Sequence, residues 1–249
     1  MSIDVAKKVN FLRHTSQMVV ESIFLDGLNV AHFEKAQKVT ESMISLLCED
    51  DDILNMLQML DKQSHFLYSH SVGVSIYSTL LARELGWTSQ VNLFKVTTAG
   101  LFHDIGLKEL DPALLKKSRY QMKLEEVKIY ETHPARGKEI LNSIASIPPD
   151  IALIAYQHHE KYSNDGYPRR LKKQNIHPMA GLIAVADTFC DLALKGPNSA
   201  GITASQALIN LMEFHGQELE PRYVTALLKL FKFPIPKPYI KYVNQYKAS

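Results

Sequence analysis

The run Ala99-Gly100-Leu101-Phe102-His103-Asp104-Ile105-Gly106 restricts the fold of this chain more than any other stretch. It sets two ionisable side chains inside an apolar segment, and therefore against a core. Buried imidazole and carboxylate groups require partners, so the fold must bring further polar groups to this point. The Asp104 carboxylate has two oxygens and can bridge two cations, while the neighbouring imidazole binds one through nitrogen. Candidate partners stand at His70, His133, His158-His159-Glu160 and Asp187. The five histidines and two aspartates of this set suffice for a two-metal site and are too many for one cation. Taken singly, each histidine reads as a hydrogen-bonded core or surface residue, Asp104 as a helix cap and Asp187 as a paired buried carboxylate. The ordered set is what points to metal.

Around these residues the apolar pattern is helical almost throughout. Val5, Val9, Leu12 and Val19 define a first stripe, and Phe33, Ala36, Val39, Met43, Leu46 and Leu47 a second, with a break at Asp26-Gly27. The acidic run Glu49-Asp50-Asp51-Asp52 reads as a boundary and as the start of a helix over Ile53–Leu60. Residues 1–55 are therefore expected to form an N-terminal helical appendage that packs on the main domain or mediates a homodimer. From 56 to 233 helices are expected over Val72–Leu81, ending at Gly86, then Val91–Leu101, Glu125–His133, Gly137–Ile147, Ile151–His159, Met179–Leu194, Ala204–Phe214 and Tyr223–Phe231. Turns are expected at Ser163–Pro168 and Gly196-Pro197-Asn198. Residues 234–249 open with Pro234, Pro236 and Pro238, which cannot continue a helix and begin a tail. No alternating strand pattern occurs, so the class is all-α.

Composition narrows the function. A chain of 249 residues, 46% hydrophobic and 22% charged, is an ordinary globular one. A net charge of +2 with interspersed signs gives no indication of a phosphate-reading nucleic-acid surface, and no nucleic-acid partner is expected. Cys48 and Cys190 imply no disulfide framework and fit a reducing compartment. Neither a membrane span nor a signal-peptide layout is present, so a cytoplasmic protein is expected.

Imidazole and carboxylate ligands without thiolates suit Fe, Mn or Zn better than Ca or Mg. Two such ions about 3.5–4 Å apart, bridged by a carboxylate and a hydroxide, are equipment for attacking a phosphodiester. The residues alone thus indicate a metal-dependent phosphohydrolase.

The set His70…His103-Asp104…His133-Pro134…His158-His159-Glu160…Gly166-Tyr167-Pro168…Asp187 resembles the HD-GYP family, a branch of the HD superfamily, over roughly residues 58–230. The resemblance implies a compact multi-helix domain and hydrolysis of the bacterial messenger cyclic di-GMP to pGpG or GMP. It implies two divalent metals, iron first, manganese second and zinc less favoured. His70, His103, Asp104 and Asp187 would hold one metal, and His133, His158 and His159 the other, with Asp104 bridging. Glu160 would orient a ligand histidine and so serve catalysis. Gly166, Tyr167 and Pro168 would lie near substrate and near a signalling protein partner; read without the family, they are a plain turn.

Departures from the family pattern are equally specific. The lysine expected after His-Asp-Ile-Gly is Leu107, with Lys108 one residue later and turned by about 100°. Phe66 stands where a third-metal glutamate would be, which favours two metals. The expected substrate arginine is missing, and Lys195 is its candidate replacement. Three readings follow: a cyclic di-GMP phosphodiesterase, a catalytically weak module that senses a nucleotide or binds a protein, and a phosphohydrolase of another nucleotide. Leu107→Lys is expected to raise substrate affinity if that anchor limits activity.

Overall fold

A computed structural model describes residues 3–49, 66–196 and 200–242 of the chain. Among these residues the architecture is all-α, as the apolar periodicity requires, and no strand occurs. The expected helix over Ile53–Leu60, the acidic run from Asp50 and the Pro197-Asn198 turn lie outside the described residues, as does the Phe66 side chain.

Helices α1 (Ile3–Asp26) and α2 (Val30–Glu49) form a hairpin. Its apolar stripe, Val9, Val20, Ile23, Phe33, Ala36 and Met43, is buried in the same core as the rest of the chain. The appendage is thus continuous with the domain: an amphipathic hairpin of this length buries its apolar face on whatever apolar surface it meets. Helix α3 (Phe66–Glu84) ends with Gly86 at φ +79°, where the Trp87 N–H reaches the Ala82 carbonyl. That left-handed residue closes the helix at little steric cost because it has no Cβ.

Helix α4 (Gln90–Phe102) delivers His103 as its last cap. A 3₁₀ turn (Ile105–Glu109), α5 (Pro112–Leu115), a second 3₁₀ turn (Arg119–Gln121) and α6 (Leu124–Tyr130) follow. Helix α7 (His133–Asn142) starts where a break at Pro134 was expected, because proline has no N–H to lose in a first turn. Helix α8 (Pro149–Gln157) ends on His158. The most buried helix is α9 (Pro178–Ala193), which carries Asp187 into the core with apolar residues on all sides.

Helix α10 (Ala204–Asn210) continues into a π turn (Leu211–His215), and α11 (Pro221–Leu230) closes the domain. In the described part of the tail, Pro238 lies in a short helix α12 (Lys237–Ile240), and Phe233, Ile235 and Tyr239 pack on the core. Proline forbids continuation of α11 but is compatible with the first turn of a new helix.

Candidate metal centre

Three of the candidate histidines share one local device. His103 follows α4, His158 follows α8, and His133 stands just beyond α6 at the start of α7. Each Nδ1–H donates to the carbonyl three residues back: His103 to Gly100 at 2.7 Å, His133 to Tyr130 at 2.8 Å and His158 to Ala155 at 2.6 Å. A proton held on Nδ1 leaves the Nε2 lone pair as the free donor, which is the form that binds metal.

The three Nε2 atoms converge on Asp104. His133 and His158 lie 3.2 and 3.5 Å from Oδ1, and His103 lies 3.2 Å from Oδ2. His70 Nε2 stands 3.9 Å from Oδ2 and 2.8 Å from Asp187 Oδ1, which is 3.5 Å from His103. His159 closes the ring with Nδ1 3.9 Å from Asp187 Oδ2. Thus Asp104, His133, His158 and His159 form one group whose ligand atoms all lie within 4.8 Å, and His70, His103 and Asp104 form another, with Asp104 common to both. Every sequence-selected histidine and aspartate of the set is brought together.

The fit to cations is set by what these atoms lack. The Nε2 atoms of His103, His133, His158 and His159 and Oδ1 of Asp104 are buried without a hydrogen-bond partner. Such atoms cost about 1–3 kcal/mol each, and cations at the two groups would satisfy them together. Electrostatics agree at Asp104 and His159, whereas at His103 burial is outweighed by the Asp104 and Asp187 carboxylates, which hold the imidazole well above its ordinary value. Burial alone would raise the Asp104 carboxyl, yet the surrounding imidazoles of His103, His133 and His158 hold it well below the usual carboxylate range. Burial, with the neighbouring His158 and His133, pushes His159 well below the ordinary imidazole value, so it is neutral and able to donate its lone pair. Cys190 is buried but directed at Gly73, so no thiolate enters the donor set.

Two glycines make the close approaches. A Cβ on Gly106 would stand 2.0 Å from the His133 carbonyl oxygen, so only glycine lets the turn after Asp104 touch the start of α7. A Cβ on Gly166 would stand 2.3 Å from the Lys161 nitrogen and 2.5 Å from the His159 oxygen. Tyr167 follows, with its N–H donating to His159 O at 3.1 Å and its ring stacked on His159 at 4.6 Å; the bond to Pro168 is cis. The loop therefore supplies an aromatic wall to the centre.

Other expected roles are corrected. Glu160 does not orient a ligand histidine: its two oxygens accept the Arg169 and Leu171 N–H groups, both at 2.7 Å, and so pin the loop that carries Tyr167. Lys108 is not turned to the cluster. Its ammonium lies at the α1–α2 turn, 3.7 Å from where a Gly27 Cβ would be, because the 3₁₀ turn points successive side chains to different sides. Leu107 is buried with Leu110 and Leu114 beside Phe24, Leu67 and Met122, a place for an apolar residue. Lys195 is exposed beyond the end of α9, about 9 Å along the helix from Asp187 before the last two residues are counted.

Three residues at the site escaped the sequence reading. Asp191 Oδ1 lies 3.4 Å from His70 Nδ1, one helical turn after Asp187 on the same face. Tyr130 sets its ring edge-on to His133 at 5.0 Å, and Arg119 places its guanidinium 5.2 Å from the centre of the Tyr167 ring. The spacings of Asp191 from Asp187 and of Tyr130 from His133 were local signals. Arg119 had none.

With this geometry in place, likeness to known proteins is specific. Residues 55–222 match the HD domain family. The chain is 29% identical over 226 residues to a 3'3'-cGAMP-specific phosphodiesterase of Vibrio cholerae, covering 86% of this chain and 47% of that protein. It is 34% identical over 184 residues to a cyclic di-GMP phosphodiesterase of Thermotoga maritima, covering 73% and 48%. The chain spans about half the length of these relatives. A solved HDG"Y"P protein from Bdellovibrio bacteriovorus shares the fold with a TM-score of 0.80 at 20% identity, over 93% of this chain and 74% of that one. The chain belongs to the HD domain family, as a member of HD-GYP type. No helix among the described residues is long and apolar enough to cross a membrane.

Proposed function

We propose that the chain is a metal-dependent phosphodiesterase of cyclic dinucleotides, with cyclic di-GMP cut to pGpG or GMP. The observation that carries this is the set of anchored imidazoles whose free Nε2 atoms surround Asp104. Asp104, His133, His158 and His159 would hold one cation and His70, His103 and Asp104 the other, with Asp187 joining the latter set on the family resemblance and 2.8 Å from His70. The imidazole-rich, thiolate-free donor set fits iron, manganese or zinc, and the resemblance to the HD-GYP family ranks iron first, manganese second and zinc third. When bound, the pair supplies an activated water and neutralises charge on phosphoryl oxygens.

The chain's own residues do the rest. Asp104 sets the spacing of the two groups, and the Gly100, Tyr130 and Ala155 carbonyls hold the imidazole tautomers. Asp191, 3.4 Å from His70 Nδ1, supplies a carboxylate on the far side of that ring. Glu160 fixes the loop so that Tyr167 stays on His159 and closes one side against water. The Gly166-Tyr167-Pro168 loop is proposed as the contact for a signalling protein, and Lys195, exposed past α9, as a substrate contact outside the cluster.

The names of the relatives place both cyclic di-GMP and 3'3'-cGAMP among the substrates to test. The burial of Leu107 where the family carries a phosphate-binding lysine favours, as second reading, a weak enzyme or nucleotide sensor. Turnover of both messengers by anaerobically prepared Fe(II)- or Mn(II)-loaded protein, beside Asp104→Ala, separates the readings. Hydrolysis abolished in the variant supports the enzyme, and binding without hydrolysis supports the sensor. A homodimer is proposed through α1, where Phe11, Met18 and Leu25 recur every seven residues and are 73%, 56% and 72% exposed. Met18→Glu should then lower the solution mass, and an unchanged mass would refute the dimer.

A further inference from the structure

A phosphodiester at this centre needs a cation on the open side, and the sites where the family pattern puts one are empty of charge or turned away. Leu107 is buried in an apolar cluster, and the Lys108 ammonium lies at the α1–α2 turn. The side of the cluster toward solvent is marked by His159, whose side chain is 22% exposed while those of His103, His133 and His158 are fully covered. Tyr167 stacks on that same imidazole.

Arg119 stands at this opening. Its guanidinium lies over the Tyr167 ring and forms an ion pair with Glu131, two residues before the ligand His133. Among the described residues it is the one cation set on an aromatic ring of the centre. The short turn that carries it, Arg119–Gln121, is closed by the Gln121 side chain accepting from the Ser118 N–H at 3.0 Å. The side chain is 48% exposed, so part of its donor fork faces solvent rather than protein. Guanidinium has five N–H donors in one plane. Contact with the ring and pairing at one edge hold the group while leaving donors for an anion, and a planar fork can pair with two phosphate oxygens.

We infer that Arg119, held by Tyr167 and Glu131, is the residue that binds a substrate phosphate group at the open side of the His/Asp cluster. It takes the part of the lysine that is missing at position 107, from a different segment of the chain. Its role in turnover rests on the phosphodiesterase reading, whereas its role in anion binding does not.

The test uses the full chain loaded with Mn(II), titrated calorimetrically with inorganic phosphate and then assayed with cyclic di-GMP and 3'3'-cGAMP. Arg119→Ala and Arg119→Gln should each weaken phosphate binding about tenfold to a hundredfold, as expected for loss of a charge-assisted hydrogen-bonded pair. Metal content and melting temperature should stay at the wild-type values, and KM should rise more than kcat falls. Arg119→Lys should retain part of the affinity. Wild-type phosphate affinity in the Ala and Gln variants overturns the proposal, and so does a Lys variant no better than Ala, which would give Arg119 a purely structural part. Arg119-dependent phosphate binding by a wild-type protein that cuts neither messenger would sustain the proposal and overturn the reaction instead.

Discussion

Replacing Asp104 by alanine tests the centre at its most shared atom pair. Oδ1 faces His133 and His158 at 3.2 and 3.5 Å, and Oδ2 faces His103 and His70 at 3.2 and 3.9 Å. The substitution therefore removes one donor from both groups at once. Loss of residues that merely orient a ligand costs about 10–100-fold in metal affinity, so loss of a shared donor should cost at least about 100-fold at each group. At free metal about 100 times the wild-type Kd, binding stabilises the fold by about 2.7 kcal/mol per cation. For a chain of this size that is a rise in Tm of about 5–11 °C. In the variant the same concentration only reaches its Kd, and the rise shrinks to about 1–2 °C. Differential scanning fluorimetry with Mn(II), and elemental analysis after desalting, read both quantities. Two metals per Asp104→Ala chain, or an undiminished thermal shift, would refute the bridging role.

Three further outcomes follow from other parts of the structure. Gly166→Ala puts a Cβ 2.3 Å from the Lys161 nitrogen, so the loop must shift and lift Tyr167 from His159; KM should rise several-fold with metal content unchanged, and wild-type kinetics would contradict the close-approach argument. Leu107→Lys buries an ammonium among Leu110, Leu114 and Phe24, so the expectation of tighter substrate binding gives way to a loss of about 2 kcal/mol or more, measurable by denaturant titration; an unchanged midpoint would show that the lysine escapes to solvent. His177 caps α9 by accepting the Met179 N–H at 3.2 Å, and burial lowers its pKa below the ordinary imidazole value. Because the folded value is below the unfolded one, this stabilisation is present above about pH 6.5 and is lost as pH falls through the folded value. His177→Asn keeps a capping acceptor and should flatten the acid side of the stability profile by up to about 1 kcal/mol; parallel profiles would refute the assignment.

What could be read from the chain alone was local. Helix class and most helix positions follow from apolar spacing at 3.6 residues per turn, a property of neighbours in sequence. The metal-binding set was legible because five histidines and two aspartates in apolar surroundings have few other uses, whatever the path of the chain between them. Tertiary structure decided which of the remaining polar side chains reach that point. Lys108 and Lys195 carry the right charge, yet a 3₁₀ turn directs one to the α1–α2 turn and the other stays exposed past α9. Glu160 sits beside two ligand histidines in sequence but spends both oxygens on the backbone of its own loop. Arg119 meets Tyr167 across 48 positions of chain, a pairing set by how α6, α7 and the loop after α8 pack, and no spacing rule encodes it. The same holds for the first two helices and the tail. Their apolar faces were visible, but the surface that covers them is fixed only when the whole core closes, since apolar burial has no direction of its own.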